Sequence, residues 1–476
     1  MEVLFVASES TPFIKTGGLA DVVGSLPSEL AKLGVDVRVI LPKYGDIPEV
    51  LQEGMLFKKR ITVSLGWRFQ HCGIEELEYG GITYYFIENE YYYNRSGIYG
   101  FDDDAERFAF FCRAVLEALP FLDFKPRVIH CHDWHTGLVS VFLKAQYGKK
   151  PFYQDIRTLF TIHNLHYQGN FPIGLLEELL DLGPEYFKME TLEFYGQGSY
   201  LKGGLVFSDL LNTVSKTYAE EIQTPYFGAK MDGILRKRKD SLTGILNGID
   251  YTQYDPMNDQ NIFFPYRSSL LKKQANKLKL QEALGLSRGE EIPMLAFVNR
   301  LVEQKGLDLI GHVLEEILDL GVQFVMLGTG EEKYQRLFGE AAARRPERMA
   351  AVFKFDESLA RQIYAASDIF LLPSRFEPCG TAQLIALRYG SIPIVRETGG
   401  LKDTIVPFDE GSNSGNGFSF SRYNAHDMLF VIKKALNLYK KKIIWTNLVN
   451  NAVKSNFSWK NSAREYCALY ERLLEM

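Results

Sequence analysis

The sequence predicts an α/β protein of two Rossmann-like doubly wound domains, on three observations. Short, continuous apolar runs rich in β-branched residues alternate with helical patterns, as strands buried on both faces of a parallel sheet require. The second half repeats the alternation of the first. The length, 476 residues, exceeds what one hydrophobic core usually serves.

In the first half the strand-like runs are VLFVAS (3–8), VRVILP (37–42), ITYYFIE (82–88), RVIHCHD (127–133), TLFTIH (158–163) and LLNTVS (210–215). In the second they are MLAFVNR (294–300), FVMLGTG (324–330), AAVFKF (350–355), DIFLLPS (368–374) and IPIVRE (392–397). Asn-Gly and Asp-Pro interrupt the pattern in LNGIDYTQYDP (246–256), which marks a hinge. The expected domains are therefore 1–248 and 249–458, followed by an amphipathic helix in 459–476.

Composition narrows the function. The 46% hydrophobic fraction supports packed cores, and no apolar stretch is long enough for a membrane helix. A net charge of 54 − 59 = −5 gives no reason to expect nucleic acid or an anionic membrane as partner. Any anionic ligand must then be held by local cations. The N-terminus lacks a basic region before a long apolar core, so no signal peptide is read there. Five cysteines without a CxxC pair point to reduced thiols in the cytoplasm.

Chemistry concentrates in SRFEPCGTAQLIAL, Ser374 to Leu387. It runs from an apolar strand through a turn at Pro378 and Gly380 into a helical pattern. Such a turn leaves free helix N–H groups at the carboxyl edge of a sheet, where a diphosphate is favoured. Glu377 on the same turn would repel phosphate, so its partner is a sugar hydroxyl or a cationic reaction centre, unless it merely caps the helix. Arg300 and Lys305, in NRLVEQKGLDLI, follow a strand and face the same crevice as a diphosphate clamp; pairing with Glu303 or Asp308 is the structural alternative.

A first glycine turn, Lys15-Thr16-Gly17-Gly18, follows the first strand, but it has neither dinucleotide nor P-loop spacing. TGGL recurs at 398–401. HCHDWH (130–135) offers no tetrahedral metal set, and His130 reads as a core residue. Asp102-Asp103-Asp104 precedes an amphipathic helix, so helix capping accounts for it and no metal site is expected. The tyrosines of YYYNRSGIYGF (91–101) suit either a sugar-stacking loop or a packed aromatic cluster.

SRFEPCG followed by QLIALRYG and PIVRETGGLKDT, together with KTGGLADVVGSLPSEL at Lys15 to Leu30, resembles the signatures of bacterial glycogen synthases and plant starch synthases. Those are retaining glucosyltransferases of the GT-B fold. The resemblance implies catalytic roles for Glu377, Arg300, Lys305 and His163. It implies substrate contacts at Lys15, Gly17, Gly18, Asp21, Asp133 and Asn247, and at Phe355, Cys379, Gly380 and Thr381. Phe355, read as a strand end, becomes a platform for the nucleotide base. Lys15 falls near the donor, and Asp133 and His163 beside the transferred sugar. In that family the last helix crosses back onto the N-terminal domain.

Two positions depart from the family pattern: Thr381-Ala382 at the turn, and Ile385 where related transferases carry a second Glu that binds ribose. The expected activity is transfer of glucose from ADP-glucose to the nonreducing end of an α-1,4-glucan, metal-independent and without a cofactor. A UDP-glucose-preferring synthase, an enzyme making a small product and a glucan-binding regulatory protein remain the alternatives. Glu377 positions sugar or stabilises positive charge, or else acts as a nucleophile.

Overall fold

The structure, a computed structural model, describes residues 1–267 and 269–476. By internal packing the chain forms two units, Met1–Asn247 with Trp459–Met476, and Gly248–Ser458.

The strands of unit 1 are β1 (Glu2–Val6), β2 (Asp36–Pro42), β3 (Leu56–Leu65), β4 (Arg68–Tyr79), β5 (Ile82–Glu88), β6 (Val128–His132), β7 (Arg157–Ile162), β8 (Asn170–Pro172), β9 (Glu193–Phe194), β10 (Gln197–Ser199), β11 (Leu210–Thr213) and β12 (Leu242–Gly244). Nine of them form one sheet in the order β12-β11-β7-β6-β1-β2-β5-β4-β3. Strands β1, β6 and β7 are parallel neighbours, and their continuous apolar runs are buried on both faces. The order reverses between β1 and β6. Loops leaving those two strands at their carboxyl ends diverge there and open a crevice.

The long hairpin β3–β4 and its antiparallel pairing to β5 were not expected from the sequence. Charges fill its outer face, so it shows none of the continuous apolar runs of a parallel strand. A further three-stranded sheet, β8-β10-β9, is also short and antiparallel.

The helix Trp459–Leu474 buries Trp459, Ala463, Tyr466, Tyr470 and Leu473 within unit 1. Its tyrosines satisfy polar groups that the sheet has buried. Tyr470 Oη lies 2.8 Å from His130 Nδ1, and Asn212 Nδ2 donates to Tyr466 Oη at 2.9 Å. His130 is thus a core residue, with its other ring nitrogen 2.5 Å from Thr161 Oγ1.

Unit 2 carries β13 (Met294–Val298), β14 (Gln323–Leu327), β15 (Met349–Val352), β16 (Ile369–Leu372), β17 (Ile392–Arg396) and β18 (Phe418–Phe420). They form one wholly parallel sheet in the order β15-β14-β13-β16-β17-β18. The reversal falls between β13 and β16. One strand leads to Arg300 and Lys305 and the other to Glu377, so topology alone brings the two motifs to one crevice.

Candidate functional site

In unit 2 the loop after β13 and the turn after β16 are stitched together. Arg375 N donates to Gln304 O at 2.8 Å, and Gln304 Nε2 to Phe376 O at 3.2 Å. Gly306 has φ +75°, and a Cβ there would stand 2.1 Å from Pro373 O. Only glycine permits both that conformation and that approach. The loop therefore turns inward, and Lys305 Nζ reaches Glu377 Oε2 at 2.6 Å, the two side chains being 8% and 9% exposed. Ser374 Oγ donates to the same oxygen at 3.0 Å.

Glu377 does not cap the helix Ala382–Arg388, and Lys305 pairs with neither Glu303 nor Asp308. Arg300 is exposed, and among the described residues its guanidinium has no hydrogen bond or ion pair.

The second TGGL turn packs beneath the Glu377 turn. Gly400 N donates to Glu377 O at 3.2 Å, and Cβ atoms at Gly399 and Gly400 would stand 2.0 and 2.2 Å from Glu377 O and Cys379 O. These glycines set the height of the carboxylate. Past it, Gly380 adopts φ +73° and Gln383 Nε2 donates to the Cys379 and Gly380 carbonyls, both at 3.0 Å. Thr381 is the N-cap residue of the helix Ala382–Arg388 but makes no side-chain cap bond. Ile385 is buried in that helix, 6% exposed.

The position assigned to Phe355 needs correction. Strand β15 ends at Val352, and Asp356 caps the next helix by accepting from Leu359 N at 2.8 Å. The intervening turn leaves Phe355 86% exposed rather than at a strand end.

In unit 1, β1 leads to Glu9, a residue the sequence reading missed. Its carboxylate accepts from Thr16 N at 2.5 Å, Thr16 Oγ1 at 3.1 Å and Gly17 N at 3.3 Å. Burial pushes its pKa up against those bonds. Lys15 Nζ meets Asp21 Oδ1 at 2.6 Å on the surface. A Cβ built on Gly17 or Gly18 meets nothing within 4 Å, so here, unlike at Gly399 and Gly400, the glycines face open space.

Asp133, leaving β6, has φ 57° and ψ −177°, a region that side chains other than glycine's rarely enter. Its carboxylate is held by His163 N at 2.7 Å and Asn164 N at 3.4 Å. Burial nevertheless raises its pKa to about 7. His163 Nε2 lies 2.9 Å from His132 Nδ1, and burial lowers the His163 pKa to about 3. At neutral pH the pair is uncharged, so His163 hydrogen-bonds as a neutral ring. Asn247 is buried, and among the described residues its Oδ1 has no partner.

One further expectation changes, and one left open between two readings is narrowed. Asp103 takes the N-cap position of the helix Asp104–Ala118 without capping it and pairs with Arg95 at 2.6 Å instead. Asp104 accepts from Gly100 N at 2.8 Å and pairs with Arg107. The tyrosine-rich stretch is mostly packed: Tyr92 and Tyr93 are buried, and Tyr99 stacks on His135 at 4.5 Å while its hydroxyl reaches Ser8 and Glu9. Among the described residues no group of three or more His, Cys, Asp or Glu is placed to hold a metal ion.

Residues 2–237 match the family described as starch synthase catalytic domain, and 281–452 match glycosyl transferases group 1. The two parallel-sheet units are thus those of a GT-B glycosyltransferase. The chain is 56% identical to a glycogen synthase of Desulforamulus reducens over 100% of this chain and 99% of that one. It is 52% identical to a glycogen synthase of Anoxybacillus flavithermus over 100% of this chain and 98% of that one. The catalytic domain of starch synthase IV from Arabidopsis thaliana, solved bound to ADP and acarbose, superposes with a TM-score of 0.92 at 34% identity, covering 100% of this chain and 99% of that one. The chain belongs to the family of bacterial glycogen synthases and plant starch synthases.

Proposed function

We propose that this protein transfers glucose from ADP-glucose to the nonreducing end of an α-1,4-glucan, with retention at the anomeric carbon. The observation that carries the reading is the buried Lys305–Glu377 pair at the sheet's switch point, on the same loop as Arg300, whose guanidinium is unpaired among the described residues. A carboxylate and cations held this close suit a reaction in which positive charge grows on a sugar while negative charge grows on a departing diphosphate.

Unit 2 takes the nucleotide sugar. Arg300 and Lys305 receive the diphosphate, and the amides near Gly380 add to them. As the bond from the anomeric carbon to the diphosphate breaks, that carbon bonds to the acceptor oxygen on the same face. The acceptor's proton passes to the leaving phosphate oxygen, giving ADP and a glucan longer by one glucose. Glu377 holds the Lys305 ammonium and stabilises the sugar's developing positive charge. Lys305, Arg300 and main-chain N–H groups fill the role a divalent ion would otherwise take, so the chemistry is metal-independent and needs no cofactor.

Unit 1 takes the glucan and the transferred sugar. Its open glycines, Gly17 and Gly18, leave room for close approach, with Lys15 beside them. Asp133 and His163 contact sugar hydroxyls. All five cysteines are free thiols, which fits the reducing cytoplasm.

The test is incubation with glycogen and either ADP-glucose or UDP-glucose labelled in the glucose. Label must become ethanol-precipitable from ADP-glucose, and faster than from UDP-glucose. Greater incorporation from UDP-glucose would reassign the donor. Label that stays soluble would remove the glucan reading altogether.

A further inference from the structure

Unit 2 has a cavity of about 360 Å³ at the amino edge of its sheet, opposite the edge that leads to Arg300, Lys305 and Glu377. Pro293 and Gly321 in its wall stand just before β13 and β14. The helix Ala425–Tyr439 and its C-cap residue supply the other wall, where Lys433, Leu436, Asn437 and Lys440 recur at the spacing of one helical face. Lys442, on the first turn of the next helix, completes the rim.

Three cations therefore ring one cavity in a chain whose net charge is −5. Glu291 Oε2 offsets Lys442 Nζ at 2.7 Å. Among the described residues the ammonium groups of Lys433 and Lys440 have no ion pair, so two charges stay uncompensated. Leu320, Leu436 and the Tyr439 ring give an apolar floor. Like charges gathered around a concave apolar surface focus an anion there.

Behind the floor lies a buried polar node. Lys277 Nζ donates to Tyr439 Oη at 3.0 Å and to Asp368 Oδ2 at 2.9 Å, and the same Asp368 oxygen accepts from Met294 N at 2.8 Å. Met294 opens β13 and Asp368 precedes β16, the two strands that flank the sheet's reversal. Their far ends lead to Lys305 and to Glu377. Tyr439 belongs both to the cavity floor and to this node.

We propose that this cavity is an effector site for a small organic phosphate. Its volume suits a small molecule. Two uncompensated ammonium groups select an anion, and the apolar floor with the Asn437 amide selects one that carries a sugar or a base. A cation would be repelled, and a neutral ligand would leave both charges unused. Occupancy bears on Tyr439, and the node passes the change along two rigid strands to the edge that holds Lys305 and Glu377.

The experiment is calorimetric titration of glucose 1-phosphate, AMP and inorganic phosphate into ADP-saturated wild type and Lys433→Gln/Lys440→Gln, which changes two exposed positions. Glucose 1-phosphate or AMP should bind wild type, the tighter of them naming a sugar or a nucleotide ligand, and its affinity should fall about tenfold in the variant. Inorganic phosphate should bind more weakly. ADP is then titrated with and without that ester. ADP affinity should agree between the two proteins without the ester and differ at least about threefold with it, because coupling between sites is reciprocal. Tyr439→Phe should keep the ester and lose its effect on ADP. Every arm reads binding, so the outcome stands whether or not glucose is transferred. The site is overturned if neither ester binds wild type, if the double variant binds it equally well, or if inorganic phosphate binds as tightly. An ADP affinity that ignores the bound ester, or an effect that survives in Tyr439→Phe, overturns its role as an effector site.

Discussion

The Lys305 ammonium lies 2.6 Å from the Glu377 carboxylate, although 72 residues separate them and both side chains are almost wholly buried. A buried ion pair is seldom there for stability, because desolvating two charges offsets most of their attraction. Its value is that each group is held fixed at the crevice. Arg300, exposed and unpaired among the described residues, supplies a cation that no carboxylate neutralises.

Truncating one partner leaves the other charge buried and alone. Glu377→Ala should therefore lose about 3–5 kcal/mol of stability, and Lys305→Met/Glu377→Ala should lose less than the sum of the single variants. Urea midpoints of the four proteins measure this. Additive losses would mean that the two groups do not depend on each other.

The same pair predicts kinetics. Glu377→Ala should bind ADP within a modest factor of wild type while turnover falls by about 10²–10³ or more, as when one preorganised electrostatic group is removed. Steady-state kinetics beside ADP titration separate the two. Near-normal turnover would remove the role given to this carboxylate.

The two TGGL turns share a sequence and differ in surroundings, so the same substitution should act differently in each. Gly400→Ala forces a methyl against the Cys379 carbonyl and should lower the thermal midpoint and turnover together. Gly17→Ala meets open space and should leave the midpoint near wild type while raising the KM for ADP-glucose. Melting curves and donor saturation curves check both. Equal destabilisation at the two sites would contradict the contrast.

Asp133 predicts a pH dependence. Its folded pKa of about 7 lies above the ordinary aspartate value of 3.8, so between those values the folded state binds a proton that the unfolded state has released. Its contribution to stability is complete below about 3.8, is lost as pH rises toward 7 and is constant above that. Asp133→Asn removes this titration and keeps an acceptor for the His163 and Asn164 amides. Wild type should lose up to about 4 kcal/mol relative to the variant between pH 4 and pH 8, at 1.36 kcal/mol per pKa unit. Denaturant midpoints across that range decide it. A constant difference would mean that Asp133 ionises normally.

Much of this was legible in one dimension. Buried parallel strands announce themselves as apolar runs, so β1, β2, β5, β6, β7 and β11 and all but the last strand of unit 2 could be read, whereas the charged hairpin β3–β4 could not. Glu377, Arg300 and Lys305 stood out because a charge beside a glycine turn past an apolar strand has few structural uses. Glu9 and Ser374 did not, since a lone polar residue in a loop carries no pattern until its partner is known. Phe355 was misplaced because apolar residues continue past the point where the strand's hydrogen bonds end.

Local order followed from the chain itself: apolar periodicity sets which segments become strands and helices, and glycine marks where the backbone must turn sharply or let another segment close. Tertiary structure decided which turns meet. The reversal of strand order between β13 and β16 sets Lys305 against Glu377, and the parallel pairing of β6 with β7 sets Asp133 against the His163 amide. A charge's partner and degree of burial, and so its energy, depend on neighbours distant in sequence, which periodicity does not encode.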